Sequence, residues 1–170
     1  VSVPCTVTAN FAPDNHAVTG VADPVAGGAV NCVSPVAHGS TTTCTVTTNA
    51  GYTFTGYSGC GGTPAATSPY VTGAVTANCT VTGSFSLNTI PVASVAVSAA
   101  GGSVVCSPNP APFGATTTCT ARANPGYVFS NMSGCGGASA TAETYTTAAI
   151  TAACTVTGIF AAQAAATPVP

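Results

Sequence analysis

Charge is almost missing from this chain. Of its 170 residues only Asp14, Asp23, Glu143 and Arg122 carry a formal charge, and neither lysine nor tryptophan occurs, whereas about a quarter of an ordinary soluble domain is charged. One cation cannot neutralise a row of phosphates, which argues against nucleic-acid binding and against attraction to anionic membranes. Three scattered carboxylates are too few for a calcium site, which needs several oxygen ligands close together. No run of about 18 or more apolar residues is present, so no segment reads as a bilayer-spanning helix. No leader with a charged and then an apolar region stands at the N-terminus, and the chain reads as already processed. Disorder of the usual kind combines low hydropathy with high charge; here the mean hydropathy is +0.48 and the net charge is −2.

What is present points to β-structure outside the cytoplasm. Thirty threonines, with abundant valine, serine, alanine and glycine, favour strands and supply a polar surface made of hydroxyls and amides rather than ions. So little charge also removes the repulsion that keeps molecules apart, which makes self-association the default expectation. Nine cysteines in a Thr/Gly/Pro-rich chain indicate an oxidising compartment, hence secretion, since small β modules with modest cores depend on disulfides.

The strongest signal is an internal repeat of about 75 residues. GGAVNC at 27–32 returns as GGSVVC at 101–106, and TTTCT at 41–45 returns at 116–120. NAGYTF at 49–54 becomes NPGYVF at 124–129, SGCGG at 58–62 recurs at 133–137, and TANCTVTGSF at 76–85 becomes TAACTVTGIF at 151–160. Module one therefore spans residues 12–86 and module two 87–161, with 162–170 read as an alanine-rich linker. Residues 5–11, CTVTANF, match the closing segment CTVTGSF at 79–85. Residues 1–11 thus read as an orphan strand, the last strand of a further copy.

Within each copy the period is two. Cys79, Val81, Gly83 and Phe85 alternate with Thr80, Thr82 and Ser84, as do Cys154, Val156, Gly158 and Phe160 with their neighbours, which is the pattern of a half-buried strand. A first hairpin is expected through Val30 and Cys32, turning across residues 34–40 and returning through Cys44 and Val46. The turns at Asn49-Ala-Gly and Asn124-Pro-Gly follow. No window carries an amphipathic helix.

These motifs together resemble the divergent bacterial repeat related to the internalin B-repeats, small β-grasp-like modules, over nearly the whole chain. The resemblance implies an all-β fold and an extracellular spacer, adhesion or assembly role without catalysis. Its members usually carry tryptophan after the GY-x-F turn, where this chain has Tyr57 and Met132. Thr167-Pro-Val-Pro170 is also similar to the lead-in of an Ile-Pro-Thr-Leu-type C-terminal sorting signal.

Four cysteines per copy allow three connectivities. Pairing of sequence neighbours is the economical reading: Cys32 with Cys44, Cys60 with Cys79, Cys106 with Cys119, and Cys135 with Cys154. Loops of this size are worth about 3 kcal/mol each. Zinc on these cysteines is disfavoured because C-x₂-C pairs are missing. Cys5 is left without a mate. It shares one strand face with Val7, Ala9 and Phe11, and burying Val7 and Phe11 would contribute about 1.5–3 kcal/mol each. These four residues are therefore expected to contact another subunit, as a strand added in trans with Cys5 available for an intermolecular disulfide; the alternatives are a strand folded back on module one, or a chain that is a piece of a longer array.

No catalytic constellation or cofactor site is expected. Asp14 and His16 fall in APDNH, read as an exposed turn, and His38 stands in a hairpin loop where module two has Phe113. GYSGCG lacks the G-x-S-x-G spacing of a nucleophile elbow. Two classes of function remain. One is a self-assembling structural subunit whose partners are copies of itself. The other is an adhesin or carbohydrate-binding module, with Tyr52, Tyr57, Tyr70, Tyr127 and Tyr145 as the candidate glycan face, although Tyr52 and Tyr127, equivalent in the repeat, are expected in the core. Asn78-Cys-Thr80 and Asn131-Met-Ser133 match the N-glycosylation sequon, with O-linked glycans on threonine the favoured alternative.

Overall fold

The computed structural model describes residues 2–164. The resemblance to the sorting signal, at Thr167–Pro170, lies outside the described residues. The chain divides into two compact units, Val1–Ser86 and Leu87–Pro170. Both are all-β; among the described residues the only helical turns are two three-residue 3₁₀ turns, Val25–Gly27 and Ala99–Gly101.

In the first unit the strands are β1 (Asn15–His16), β2 (Val18–Asp23), β3 (Gly28–Cys32), β4 (Val36–Ala37), β5 (Thr43–Thr48), β6 (Tyr52–Gly59), β7 (Tyr70–Val71) and β8 (Cys79–Leu87). They form a sheet in the order β2-β8-β6, a second sheet β3-β5-β7, and a short ribbon β1-β4. The expected hairpin is β3 with β5, antiparallel, with Cys32 directly opposite Cys44. The first long strand and the last one, β2 and β8, run parallel, with Val18 opposite Cys79 and Asp23 opposite Ser84.

The second unit repeats this plan with β9 (Thr89–Ile90), β10 (Val92–Val97), β11 (Gly102–Ser107), β12 (Ala111–Pro112), β13 (Thr118–Ala123), β14 (Tyr127–Gly134), β15 (Gly137–Ala140), β16 (Thr144–Thr146) and β17 (Cys154–Ala162). Its sheets are β10-β17-β14-β15 and β11-β13-β16, with β9-β12 as the ribbon. Strand β17 continues through Ala161 and Ala162, which pair with Val128 and Tyr127. Module two therefore ends later than expected, and Ala162 is not linker, because the strand still has a partner in β14 to accept its backbone hydrogen bonds.

Strand alternation fills each core with one face of each sheet. Val18, Val30, Val36, Cys44, Tyr57, Tyr70, Val75 and Val81 form the first core. In the second, the matching positions are Val92, Val104, Ala111, Cys119, Met132, Tyr145, Ile150 and Val156. Tyr57 and Met132, equivalent in the repeat, are both buried. Tyr57 stacks on Tyr70 with ring centroids 5.2 Å apart and meets Phe54 edge-on at 4.6 Å; Met132, an unbranched and adaptable side chain, occupies the same place without a ring.

The repeated motifs have separate physical reasons. In TTTCT, Thr42 and Thr117 are buried, and each hydroxyl donates to a backbone carbonyl, of Val33 and Pro108 respectively, at 2.7 Å. Their own backbone N–H groups donate to the hydroxyls of Thr72 and Thr147, both at 3.0 Å. Buried polar groups cost stability unless paired, so these threonines are interior struts rather than surface. In SGCGG, Gly59 has φ +109° and Gly134 φ +127°, and a Cβ on either would stand 2.2 or 2.1 Å from the carbonyl oxygen of Thr80 or Thr155. Glycine alone fits there.

Candidate interaction site

Residues 2–11 carry a closing-strand sequence, yet they form no strand and lie exposed. Val3, Val7 and Phe11 are 82%, 89% and 93% exposed. The counterparts of Val7 and Phe11 in β8, Val81 and Phe85, are 0% and 7% exposed, and Val156 and Phe160 in β17 are likewise buried. The same residue pattern therefore has an apolar face that each complete module covers and that here stands in water. Cys5 on that face is the free thiol.

The eight remaining cysteines form four bonds, Cys32–Cys44, Cys60–Cys79, Cys106–Cys119 and Cys135–Cys154, the pairs adjacent in sequence. Cys32–Cys44 and Cys106–Cys119 join residues opposite one another in a hairpin, with Cα atoms 4.0 and 3.9 Å apart. The other two anchor the SGCGG turns to the first residue of β8 and of β17.

The two units differ along one sheet edge. In the second, β15 lies alongside β14; in the first, the corresponding side of β6 has an isolated bridge between Tyr57 and Ala65. An open groove of about 380 Å³, lined by Thr55, Tyr57, Pro64, Ala65 and Ser84 among others, borders this edge. Strand edges with few backbone partners are the usual templates for an added strand; here the Tyr57 N–H donates to the Ala65 carbonyl at 2.7 Å.

The tyrosines do not make a surface. Tyr57, Tyr70 and Tyr145 are core residues, while Tyr52 and Tyr127, expected inside, are half-buried. The equivalence of Tyr70 and Tyr145 in the repeat was the signal for their burial. Of the sequon asparagines, Asn78 accepts from the Ala17 backbone N–H at 2.7 Å, and Asn131 is half-buried with an enclosed side-chain oxygen.

Asp14, His16 and His38, read separately from the sequence as an exposed turn and a loop, come together. Ribbon β1-β4 sets Asn15 opposite Ala37 and His16 opposite Val36. The His38 N–H donates to the Asp14 carbonyl at 2.8 Å and extends this ladder by one position. His16 Nε2 and His38 Nδ1 are 2.9 Å apart, and Asp14 Oδ2 is 3.7 and 3.6 Å from them. Sequence reasoning missed this meeting because 22 residues separate the histidines.

The fold and its cross-links define a class: a tandem array of small, disulfide-stapled all-β modules. The chain belongs to the divergent InlB B-repeat domain family, whose model matches it twice, over residues 18–89 and 93–164. No curated protein and no solved structure matches it.

Proposed function

We propose that this chain is a non-catalytic structural subunit of the bacterial cell surface, secreted and oxidised, that assembles with copies of itself by strand addition. The observation that carries the reading is the exposed apolar face of Val7 and Phe11 in a segment whose two sequence counterparts are buried strands. Covering these two side chains contributes about 1.5–3 kcal/mol each, and added backbone pairing gives the contact direction and register. The side of β6 that carries the single Tyr57–Ala65 bridge, in a second copy, is the acceptor this reading favours, since the equivalent side of β14 is paired at two positions with β15. Donor and acceptor are then different surfaces of one chain, so the contact repeats without closing and extends into a fibre or sheath. Copies not joined by strand addition have a second contact open to them: two Cys5 thiols, one from each copy, form a disulfide when an extracellular oxidant such as dioxygen takes up the two electrons and two protons.

Four disulfides and membership of a surface-repeat family support the extracellular placement. Sedimentation and non-reducing electrophoresis of the parent chain, Phe11→Asp and Cys5→Ser test the reading. Filaments or large oligomers from the parent, lost in Phe11→Asp and no longer covalent in Cys5→Ser, are expected. A parent that stays monomeric at high concentration, with a face this exposed, would sink the assembly proposal.

A further inference from the structure

We infer that Asp14, His16 and His38 form a binding site for a divalent d-block cation of the zinc type, held on ribbon β1-β4 at the entrance to the first module. The chain has two histidines and three acidic residues; both histidines and one of the acids converge here, although their surroundings are almost free of charge. Alternation along paired strands places them on one face: Asp14 and His16 are two apart on one side of the ribbon, and His38 lies across from Asp14.

The spacing suits a metal. Donor atoms 2.9, 3.6 and 3.7 Å apart share a common point about 2.0 Å from each, the distance at which zinc(II) sits from imidazole nitrogen and carboxylate oxygen. Two nitrogens and one oxygen are a donor set for zinc, copper or nickel and not for magnesium or calcium, which prefer oxygen alone. His16 is half-buried and held by its register with Val36, whereas Asp14 and His38 are exposed, so the fourth coordination position faces water or a donor from another molecule.

Without metal, the facing nitrogens are at hydrogen-bond distance, one donating to the other. Metal binding requires both to present lone pairs. The donor ring meets this by moving its proton to its other nitrogen, with no net change in charge. The ion then replaces a single hydrogen bond by three coordinate bonds between the segment that leads into the module and the β4 loop.

The second module provides an internal control. Ribbon β9-β12 has the same pairing, Ile90 opposite Ala111 and Thr89 opposite Pro112, and at the three equivalent positions it carries Asn88, Ile90 and Phe113. The fold therefore does not need the three donors. Replacing them by their module-two counterparts, Asp14→Asn, His16→Ile and His38→Phe, removes ligands while using side chains that this same ribbon already accommodates.

The test is calorimetric titration of Zn²⁺ alone into the full oxidised chain carrying Cys5→Ser, which removes the competing free thiol. One Zn²⁺ per chain is expected, with histidine ring resonances shifting in the NMR spectrum and no displacement by excess Mg²⁺. His38→Phe and, separately, Asp14→Asn should each weaken binding about 100-fold while leaving the far-UV spectrum unchanged. Absence of saturable binding at about 0.1 mM Zn²⁺, displacement by Mg²⁺, or affinity unaltered in both variants would overturn the site.

Discussion

The hydroxyl of Tyr70 donates a hydrogen bond to the carbonyl of Gly59 at 2.5 Å. Tyr145 makes the same bond to Gly134. This contact accounts for the shared SGCGG and for the tyrosine eleven residues after its first glycine in both copies. The ring lies so close that a Cβ on Gly62 or Gly137 would stand 2.5 Å from the phenolic oxygen, and the turn that carries the disulfide cysteine is thereby fastened to the core.

Tyr70→Phe removes the donor and leaves the Gly59 carbonyl without it. A loss of about 1–2 kcal/mol is expected, read as a lower denaturation midpoint of the oxidised chain with an unaltered m-value. Gly62→Ala should cost more, because the added carbon meets both the ring and the Val71 carbonyl. Equal stability of Tyr70→Phe and the parent would show that the bond is energetically idle.

Gly83 exists to admit a neighbour. A Cβ there would be 2.5 Å from Val30 Cγ2, so Gly83→Ala should destabilise by about 1–3 kcal/mol through overpacking. Val30→Ala creates room as well as a cavity. The double variant is therefore expected to lose at least about 0.5 kcal/mol less than the two single losses combined, measured as a double-mutant cycle by urea denaturation.

Alkylation separates the cysteines. The monomeric fraction of the native chain should take one iodoacetamide label, on Cys5, and nine after reduction and unfolding, counted by mass spectrometry. Removing Cys44 and Cys32 together by alanine substitution should cost about 2–5 kcal/mol. More than one label on the native chain would mean that a disulfide is missing.

Self-association that rests on apolar burial and backbone pairing should be nearly blind to salt. With four formally charged side chains, the oligomer distribution in sedimentation velocity is expected to change little when ionic strength rises about tenfold from 0.05 M, where the Debye length drops several-fold. A strong dependence would point to an electrostatic contact instead.

Much was legible before any coordinates. The repeat, the all-β class and the hairpin bearing Cys32 and Cys44 depend on alternation and on local separations. Burial of Tyr70 and Tyr145 is legible in the same way, since they are equivalent in the repeat, whereas the equally equivalent Tyr52 and Tyr127 beside the Asn-x-Gly turns are only half-buried. Threonine misled in part: Thr42, Thr72, Thr117 and Thr147 are buried, and composition does not distinguish a hydroxyl that bonds inside from one that faces water.

What the amino-acid order determined by itself was a pair of strand-built modules with four cysteines each, because period-two patterning and short loops act over a few residues; which cysteines pair is decided by the fold, which sets Cys32 opposite Cys44 and brings Cys60 to Cys79. Tertiary structure alone decided that β2 lies parallel to β8, that β6 has a single bridge to Ala65 where β14 has β15, and that Asp14 and His16 meet His38. Alternation says which face of a strand is apolar but is compatible with many strand orders; the choice among them is made when both sheets must cover one core at once.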